Sequence, residues 1–372
     1  MSEWQVERLD SFFTLKRGYD LPKQSRISGS VPIIASSGFT DFHNEAKVNE
    51  PGVVTGRYGT IGSVFFSEVP FWPLNTALYV NDFKSNDKKF IYYFLQTLDW
   101  EKFSDKSAVP GVNRNDVHQE EICFPPLPEQ KAIASVLSSL DDKIDLLHRQ
   151  NKTLEAMAET LLIQHVLPRE DEQNDGLHVL GDYLETISVT HKFPNPQVVF
   201  LNTSDIYKGK VLTHELSDVK GLPGQAKKSI KKGDILFSEI RPANGRYALI
   251  DFDAGNYVVS TKLMVLRAKQ PKLIGLLYFY LTNKQVTDWL QVLAESRSGT
   301  FPQITFDQVA DLELRLPQES DLDDLLELLD DILLKQSANN KQIQTLENLR
   351  DTLLPKLMSG EVRVQFQTEE VA

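Results

Sequence analysis

Leu140-Asp141-Asp142-Lys143-Ile144 lies inside a run of regularly spaced apolar residues and returns later in the chain as Leu329-Asp330-Asp331-Ile332-Leu333. In the first run Ile133, Leu137, Leu140, Ile144, Leu147, Asn151, Leu154, Ala158 and Leu161 alternate in steps of four and three. That is the a/d seam of a coiled coil. In the second run Leu322, Leu326, Leu329, Leu333, Gln336, Asn340 and Ile343 keep the alternation. The phase then slips by one residue through Leu346 to Leu353 and Leu357. Pro125-Pro126-Leu127-Pro128 blocks helix before Glu129, and proline suits a helix start. The first rod therefore runs from Glu129 to about His165, roughly 55 Å at 1.5 Å per residue. The competing reading is a pair of ordinary amphipathic helices, each packed on its own module.

Working outward, the flanks repeat too. Asn151-Lys152 answers to Asn340-Lys341, and Thr160-Leu161-Leu162 to Thr352-Leu353-Leu354. Val109-Pro110-Gly111-Val112 with Val117 answers to Phe301-Pro302-Gln303-Ile304 with Val309. Two similar modules with two similar rods imply a two-part target. Asn151 and Asn340 sit on the seam near the rod midpoints, where antiparallel pairing would bring them together as a register device; the alternative is a solvated pair on a loose seam. Strands are expected at 31–34, 53–55, 63–66 and 77–80, then a helix at 90–98. They are expected again at 198–201, 234–237 and 262–266, then one helix from Ile274 to about Leu293.

The segments are 1–125, the first rod 126–167, a polar linker 168–176, the second module 177–315, the second rod 316–360 and a tail 361–372. At 372 residues the chain accommodates two cores, and 41% hydrophobic with 25% charged residues is a soluble composition. The net charge of −12 resides on rods and linkers. Residues 1–125 carry 13 basic and 16 acidic side chains, and residues 177–315 carry 17 and 14. Overall acidity therefore neither supports nor excludes DNA. The start lacks signal-peptide character, and the longest apolar stretch, Leu273 to Leu281, is too short to span a bilayer. No membrane partner and a cytoplasmic location are expected. Cys123 is the single cysteine, which excludes an intramolecular disulfide and a multi-cysteine zinc site; it reads as a buried or half-buried strand thiol.

Catalytic constellations are missing. Gly56-Arg57-Tyr58-Gly59-Thr60-Ile61-Gly62 lacks the Gly-Lys-Ser/Thr of a phosphate loop and the spacing of a dinucleotide fingerprint. The seven histidines show no paired metal-ligand spacing, and there is no G-x-S-x-G elbow. Asn195-Pro196-Gln197 is not an amino-methyltransferase loop. The chain reads as a non-enzyme, with no catalytic residue, no metal site and no bound cofactor.

What remains are turns suited to DNA. Arg57, Tyr58 and Thr60 sit among glycines that permit close approach, and Arg241, Asn244 and Arg246 form the counterpart after Gly233-Asp234-Ile235-Leu236-Phe237. Arginine grips guanine O6/N7 and asparagine pairs with adenine. Lys227 and Lys228, with Lys231-Lys232, suit phosphates. Asn113, Arg114, Arg297 and Thr300 are further candidates. Each loop read by itself is equally a plain turn, and each lysine run a solvated face.

The chain resembles the specificity subunit of a type I restriction-modification system over essentially its full length. Besides the loop at 56–62 and the strand at 233–237, the resemblance is carried by Pro126-Leu127-Pro128-Glu129-Gln130-Lys131-Ala132-Ile133 leading into Leu140-Asp141-Asp142-Lys143-Ile144. Leu349-Arg350-Asp351-Thr352-Leu353-Leu354-Pro355-Lys356-Leu357-Met358-Ser359-Gly360-Glu361-Val362 completes it. The resemblance implies an α+β fold: two α/β target-recognition domains joined by two long antiparallel coiled-coil helices in an internal pseudo-twofold repeat. It implies that each domain reads one half of a split site in double-stranded DNA, with the helices as spacer and dock for two methyltransferase subunits. S-adenosylmethionine is then expected on those partners, and ATP and Mg2+ on restriction/translocase subunits that join them. At the second rod the family's Leu-Pro-Glu-Gln-Lys becomes Leu316-Pro317-Gln318-Glu319-Ser320, which puts symmetric docking there in question. The competing class is a coiled-coil adaptor or scaffold without specific DNA binding.

Overall fold

The structure, a computed structural model, describes residues 4–104, 110–168, 177–297 and 302–365. It forms two compact units, residues 1–146 with 342–372, and residues 147–341. Each unit thus takes half of each rod.

In the first unit, strand Gln5–Arg8 pairs antiparallel with Glu121–Phe124. A four-stranded antiparallel sheet runs in the order Thr14–Arg17, Ala77–Asp82, Gly52–Gly56, Val64–Ser67. Val31–Ala35 lies between antiparallel Gly38–His43 and parallel Trp72–Pro73. Helix Lys88–Gln96 begins where Asp87 accepts the Phe90 N–H at 2.8 Å, an N-cap, and buries Phe90, Ile91, Phe94 and Leu95. Phe12, Phe13, Phe90 and Phe94 surround Phe124 at centroid distances of 4.4 to 6.2 Å, the range of stacked and edge-on aromatic pairs.

The second unit repeats this plan. Leu177–Val179 pairs with Glu313–Arg315, and the antiparallel sheet runs Leu184–Thr186, Leu263–Ala268, Ile235–Ser238, Tyr247–Leu249. Gln197–Leu201 lies between antiparallel Leu216–Asp218 and parallel Tyr257–Ser260. It adds strand Ala226–Ser229 and a hairpin, Ile206–Tyr207 with Lys210–Val211.

The single helix expected from Ile274 to about Leu293 is two, Ile274–Thr282 and Lys284–Arg297. Asn283 leaves the helical region at ψ 140, and its Oδ1 accepts the Gln285 N–H at 2.8 Å. Asparagine caps a new helix better than it continues an old one. Cys123 lies in a strand as expected but is exposed, because Ile122 and Phe124 take the buried positions of the alternation.

The rods are helices Leu127–His165 and Glu319–Met358. Every seam residue named above is buried or half-buried. The repeated Leu-Asp-Asp has a common task. Asp141 accepts the Tyr93 hydroxyl at 2.6 Å, and Asp330 accepts the Gly275 N–H at 3.2 Å. In each unit, therefore, the first half of a rod is fastened to the helix of the module preceding it. A Cβ on Gly275 would lie 2.4 Å from Asp330 Oδ1, so a side chain there would push the carboxylate away from this hydrogen bond.

Polar contacts also join the two rods within each unit. In the first unit Arg350 donates to Asp141 at 3.0 Å, and Ile133 and Leu137 share a core with Leu357 and Met358. In the second, Asn151 donates to Asn340 at 2.9 Å and accepts from Asn339 at 2.8 Å, while Gln336 donates to the Asn151 carbonyl at 3.3 Å. Asn339, which is off the expected seam, is 1% exposed. Its amide is satisfied where a bare amide would cost stability.

The Glu129-Gln130 pair at the head of the first rod is fully buried. Glu129 accepts from Arg363 at 2.6 and 2.8 Å and from the Trp4 indole at 3.1 Å. Gln130 accepts the Asp87 N–H at 2.9 Å and donates to Asn86 Oδ1 and the Pro125 carbonyl. Gln318, at the same distance after its proline, is exposed, so the departure in the second motif falls where this buried network is not built.

Candidate nucleic-acid interface

In the first unit, strand Gly52–Gly56 ends at a turn that only glycine permits: a Cβ on Gly56 would lie 1.8 Å from the Thr60 carbonyl oxygen. Gly59 and Gly62 adopt φ of +74 and +80. The N–H groups of Arg57 and Tyr58 both donate to the Thr76 carbonyl, at 3.0 and 3.1 Å. The Arg57 carbonyl accepts the Val112 N–H at 3.0 Å, and Arg57 Nε donates back to the Val112 carbonyl at 3.4 Å. Gly111 fits against the Tyr58 ring, where a Cβ would lie 2.1 Å from a ring carbon.

This pairing delivers Asn113 and Arg114 beside the Arg57 loop. Both are exposed, as is Thr60. Asn113 Oδ1 caps the helix Arg114–His118 by accepting the Asn115 N–H at 3.1 Å. The Arg57 guanidinium lies 4.5 Å from the Tyr58 ring centroid, and its two Nη groups have no hydrogen-bond partner among the described residues. A stacked guanidinium with its fork unpaired is arranged to grip two acceptors at once.

Lys16-Arg17-Gly18-Tyr19, not among the candidates from the sequence, lies near this loop. Arg17 pairs with Leu78 and Gly56 with Ala77, so this stretch ends at the same end of the sheet as Arg57. The Tyr19 hydroxyl is 3.0 Å from that of Tyr79; this hydrogen bond, and Lys16 beside it, hold the Tyr19 phenol below its ordinary range. The signal was available: a basic pair, a glycine and a tyrosine, the same residue types as the loop at 57–60.

In the second unit the loop follows Ile235–Ser238. Arg241 is exposed and left-handed, φ +46, and its N–H donates to the Pro302 carbonyl at 3.3 Å. Asn244 is exposed, before Gly245 at φ +67. A non-glycine residue at positive φ stores strain, of order 1–3 kcal/mol, and such residues cluster at functional loops. The side chain of Arg241 has no hydrogen bond or ion pair among the described residues.

Arg246 and Lys228 are placed differently. Arg246 Nη1 donates to the carbonyls of Ser204 and Ile206 at 3.1 and 3.0 Å, with the guanidinium 5.3 Å from the Tyr207 ring centroid. Lys228 donates to the carbonyls of Thr261 and Leu263 at 3.1 and 2.8 Å, and burial lowers its pKa. Both cations serve backbone carbonyls of the fold, so the exposed lysines of the cluster are Lys227, Lys231 and Lys232. Thr300 and the side chain of Arg297 lie outside the described residues.

Among the described residues no group of His, Cys, Asp and Glu is arranged to hold a metal, and no helix is long and apolar enough to cross a membrane.

The two units thus share one sheet plan, and in each an arginine-bearing polar loop follows the corresponding strand, Gly52–Gly56 or Ile235–Ser238. The model of the type I restriction modification DNA specificity domain matches residues 1–156 and 186–348, one module and most of a rod in each segment. The chain belongs to that family. It is similar to the specificity subunit of the type I restriction enzyme HindI from Haemophilus influenzae, 47% identical over 176 residues. That alignment covers 47% of this chain and 38% of the relative, well short of the relative's full length. The MjaIX specificity subunit of Methanocaldococcus jannaschii is 24% identical over 308 residues, 74% of this chain and 69% of that one. The crystal structure of a type I restriction-modification S subunit from M. genitalium has the same fold, with a TM-score of 0.68 over 95% of this chain and 96% of that chain at 18% identity.

Proposed function

We propose that this chain is the reading subunit of a type I restriction-modification complex and that each unit reads one half of a bipartite duplex site. The observation that carries it is the repeated loop, which presents the Arg57 and Arg241 side chains from corresponding strands. In this reading the rods pair as an antiparallel coiled coil in a pseudo-twofold repeat, set the gap between half-sites and dock two methyltransferase subunits. Support for the pairing comes from the Asp141–Arg350 contact in one unit and the Asn151–Asn340 contact in the other. The partners supply S-adenosylmethionine chemistry, and restriction/translocase subunits supply ATP- and Mg2+-dependent cleavage, in the cytoplasm. This chain supplies base recognition and distance.

Replacing Arg57 by Ala is expected to relax selectivity at one position of one half-site, by about 1–3 kcal/mol for a lost bidentate base contact. Replacing Arg241 is expected to do the same in the other half only. Methylation of a panel of singly substituted duplexes by the assembled complex measures both. A uniform loss across all sequences makes these arginines phosphate contacts; no loss makes them plain turn residues.

The chain alone, mixed with labelled S-adenosylmethionine and target duplex, is expected to transfer no methyl group and cut no strand. Turnover above a mock preparation contradicts the division of labour.

A further inference from the structure

In both units the strand that carries the loop leaves its sheet through the same set of backbone contacts. Gly56 donates to the Ser63 carbonyl, and Ser238 to the Arg246 carbonyl, each at 2.9 Å. Arg57 donates to the Thr76 carbonyl at 3.0 Å, and Glu239 to the Lys262 carbonyl at 3.1 Å. The Arg57 carbonyl accepts the Val112 N–H at 3.0 Å, and the Glu239 carbonyl accepts the Ile304 N–H at 2.9 Å. Tyr58 bridges Gly111, and Ile240 bridges Gln303. The next residue in each turns left-handed, Gly59 at φ +74 and Arg241 at φ +46.

By this register Arg241 stands where the first unit has Gly59. Glu239 stands where it has Arg57. The similar composition of the two loops conceals this, because matching arginine to arginine shifts the comparison by two residues.

Glu239 is half-buried, and its carboxylate makes no hydrogen bond or ion pair among the described residues. Lys228, which feels its charge, is held on the carbonyls of Thr261 and Leu263. An ionised carboxylate only accepts hydrogen bonds, and a phosphate repels it. The groups on a base edge that answer it are exocyclic amines, above all cytosine N4 in the major groove.

We propose that Glu239 is a specificity-determining residue of the second unit. It accepts a hydrogen bond from an exocyclic amine, cytosine N4 or adenine N6, at the half-site position equivalent to the one that faces Arg57 in the first unit. The inference rests on the second unit reading DNA. Its consequence is that the two halves of the target are read with opposite hydrogen-bond polarity at equivalent places.

The test is selection from a randomised duplex pool by the full chain assembled with its methyltransferase subunits, as wild type, Glu239→Met and Glu239→Arg. With Glu239→Met, discrimination at one position of the second unit's half-site is expected to fall roughly 5- to 150-fold, the equivalent of one good base contact. Glu239→Arg is expected to shift that position toward guanine. The first unit's half-site stays unchanged in both, and an unchanged urea unfolding transition of the second unit shows that the variants are folded. Unaltered selectivity, or a uniform fall over the whole second half, overturns the proposal. A wild-type complex that selects no motif at all has a separate meaning: it rejects DNA reading itself.

Discussion

Arg363→Met is expected to destabilise the first unit by about 3 kcal/mol, because it leaves the carboxylate of Glu129 buried without its cation. Glu129 is fully buried and Arg363 about one-third exposed, at 0% and 33% of side-chain area, which puts the effect at the lower end of the range for a broken buried pair. Trp4 still donates to the carboxylate, but a neutral indole does not replace a bidentate guanidinium. Unfolding in urea, followed by hydrogen exchange so that each unit reports separately, gives the measurement. The first unit's transition is expected at lower urea and the second unit's unchanged. Adding Glu129→Leu to Arg363→Met is expected to recover much of the loss, because no charge is then stranded. A single variant as stable as wild type contradicts the buried-pair account.

Shortening both rods has the largest expected effect on recognition. Deleting Lys143–Arg149 together with Gln342–Asn348 removes one heptad from each rod and keeps the Asp141–Arg350 and Asn151–Asn340 contacts. The two deleted segments face each other if the rods pair antiparallel, so the remaining seam stays in phase. The rod shortens by about 10 Å at 1.5 Å per residue, or about three base pairs of duplex. Three base pairs also turn one half-site by about 100° around the duplex. The original target is therefore expected to lose methylation at least tenfold, and the sites still selected should carry a shorter gap. A folded variant that keeps the original gap means that the rods dock partners without measuring distance.

Much of this architecture is legible in the sequence because it is periodic. The three-four alternation marks both rods, and short apolar, β-branched runs between glycine and proline turns mark strands such as Val31–Ala35 and Gly52–Gly56. Where a local signal decides the outcome, patterning misleads. Asn283 looks tolerable in an apolar helix but caps a new one, and Cys123 is on the outer side of a strand whose inner side is Ile122 and Phe124. Contacts between residues far apart in sequence are illegible, which is why Glu129 reads as a family motif and not as the partner of Arg363. The candidate site divides in the same way. Arg57, Asn113 and Arg114 are convergent because Gly111 and Val112 pair with the loop, and the repeat at 109–112 signals as much. Arg246 and Lys228 look free in sequence, but carbonyls of other segments hold them. Glu239 carries no signal, because only backbone hydrogen bonds reveal its equivalence to Arg57.

In the proposed function two units read two half-sites at a fixed distance. Sequencing the duplexes retained from a randomised pool by the wild-type chain with its methyltransferase subunits tests it most directly. The expected result is two short enriched blocks separated by an unspecified gap of one constant length. A single contiguous block, or two blocks at freely varying separation, contradicts it.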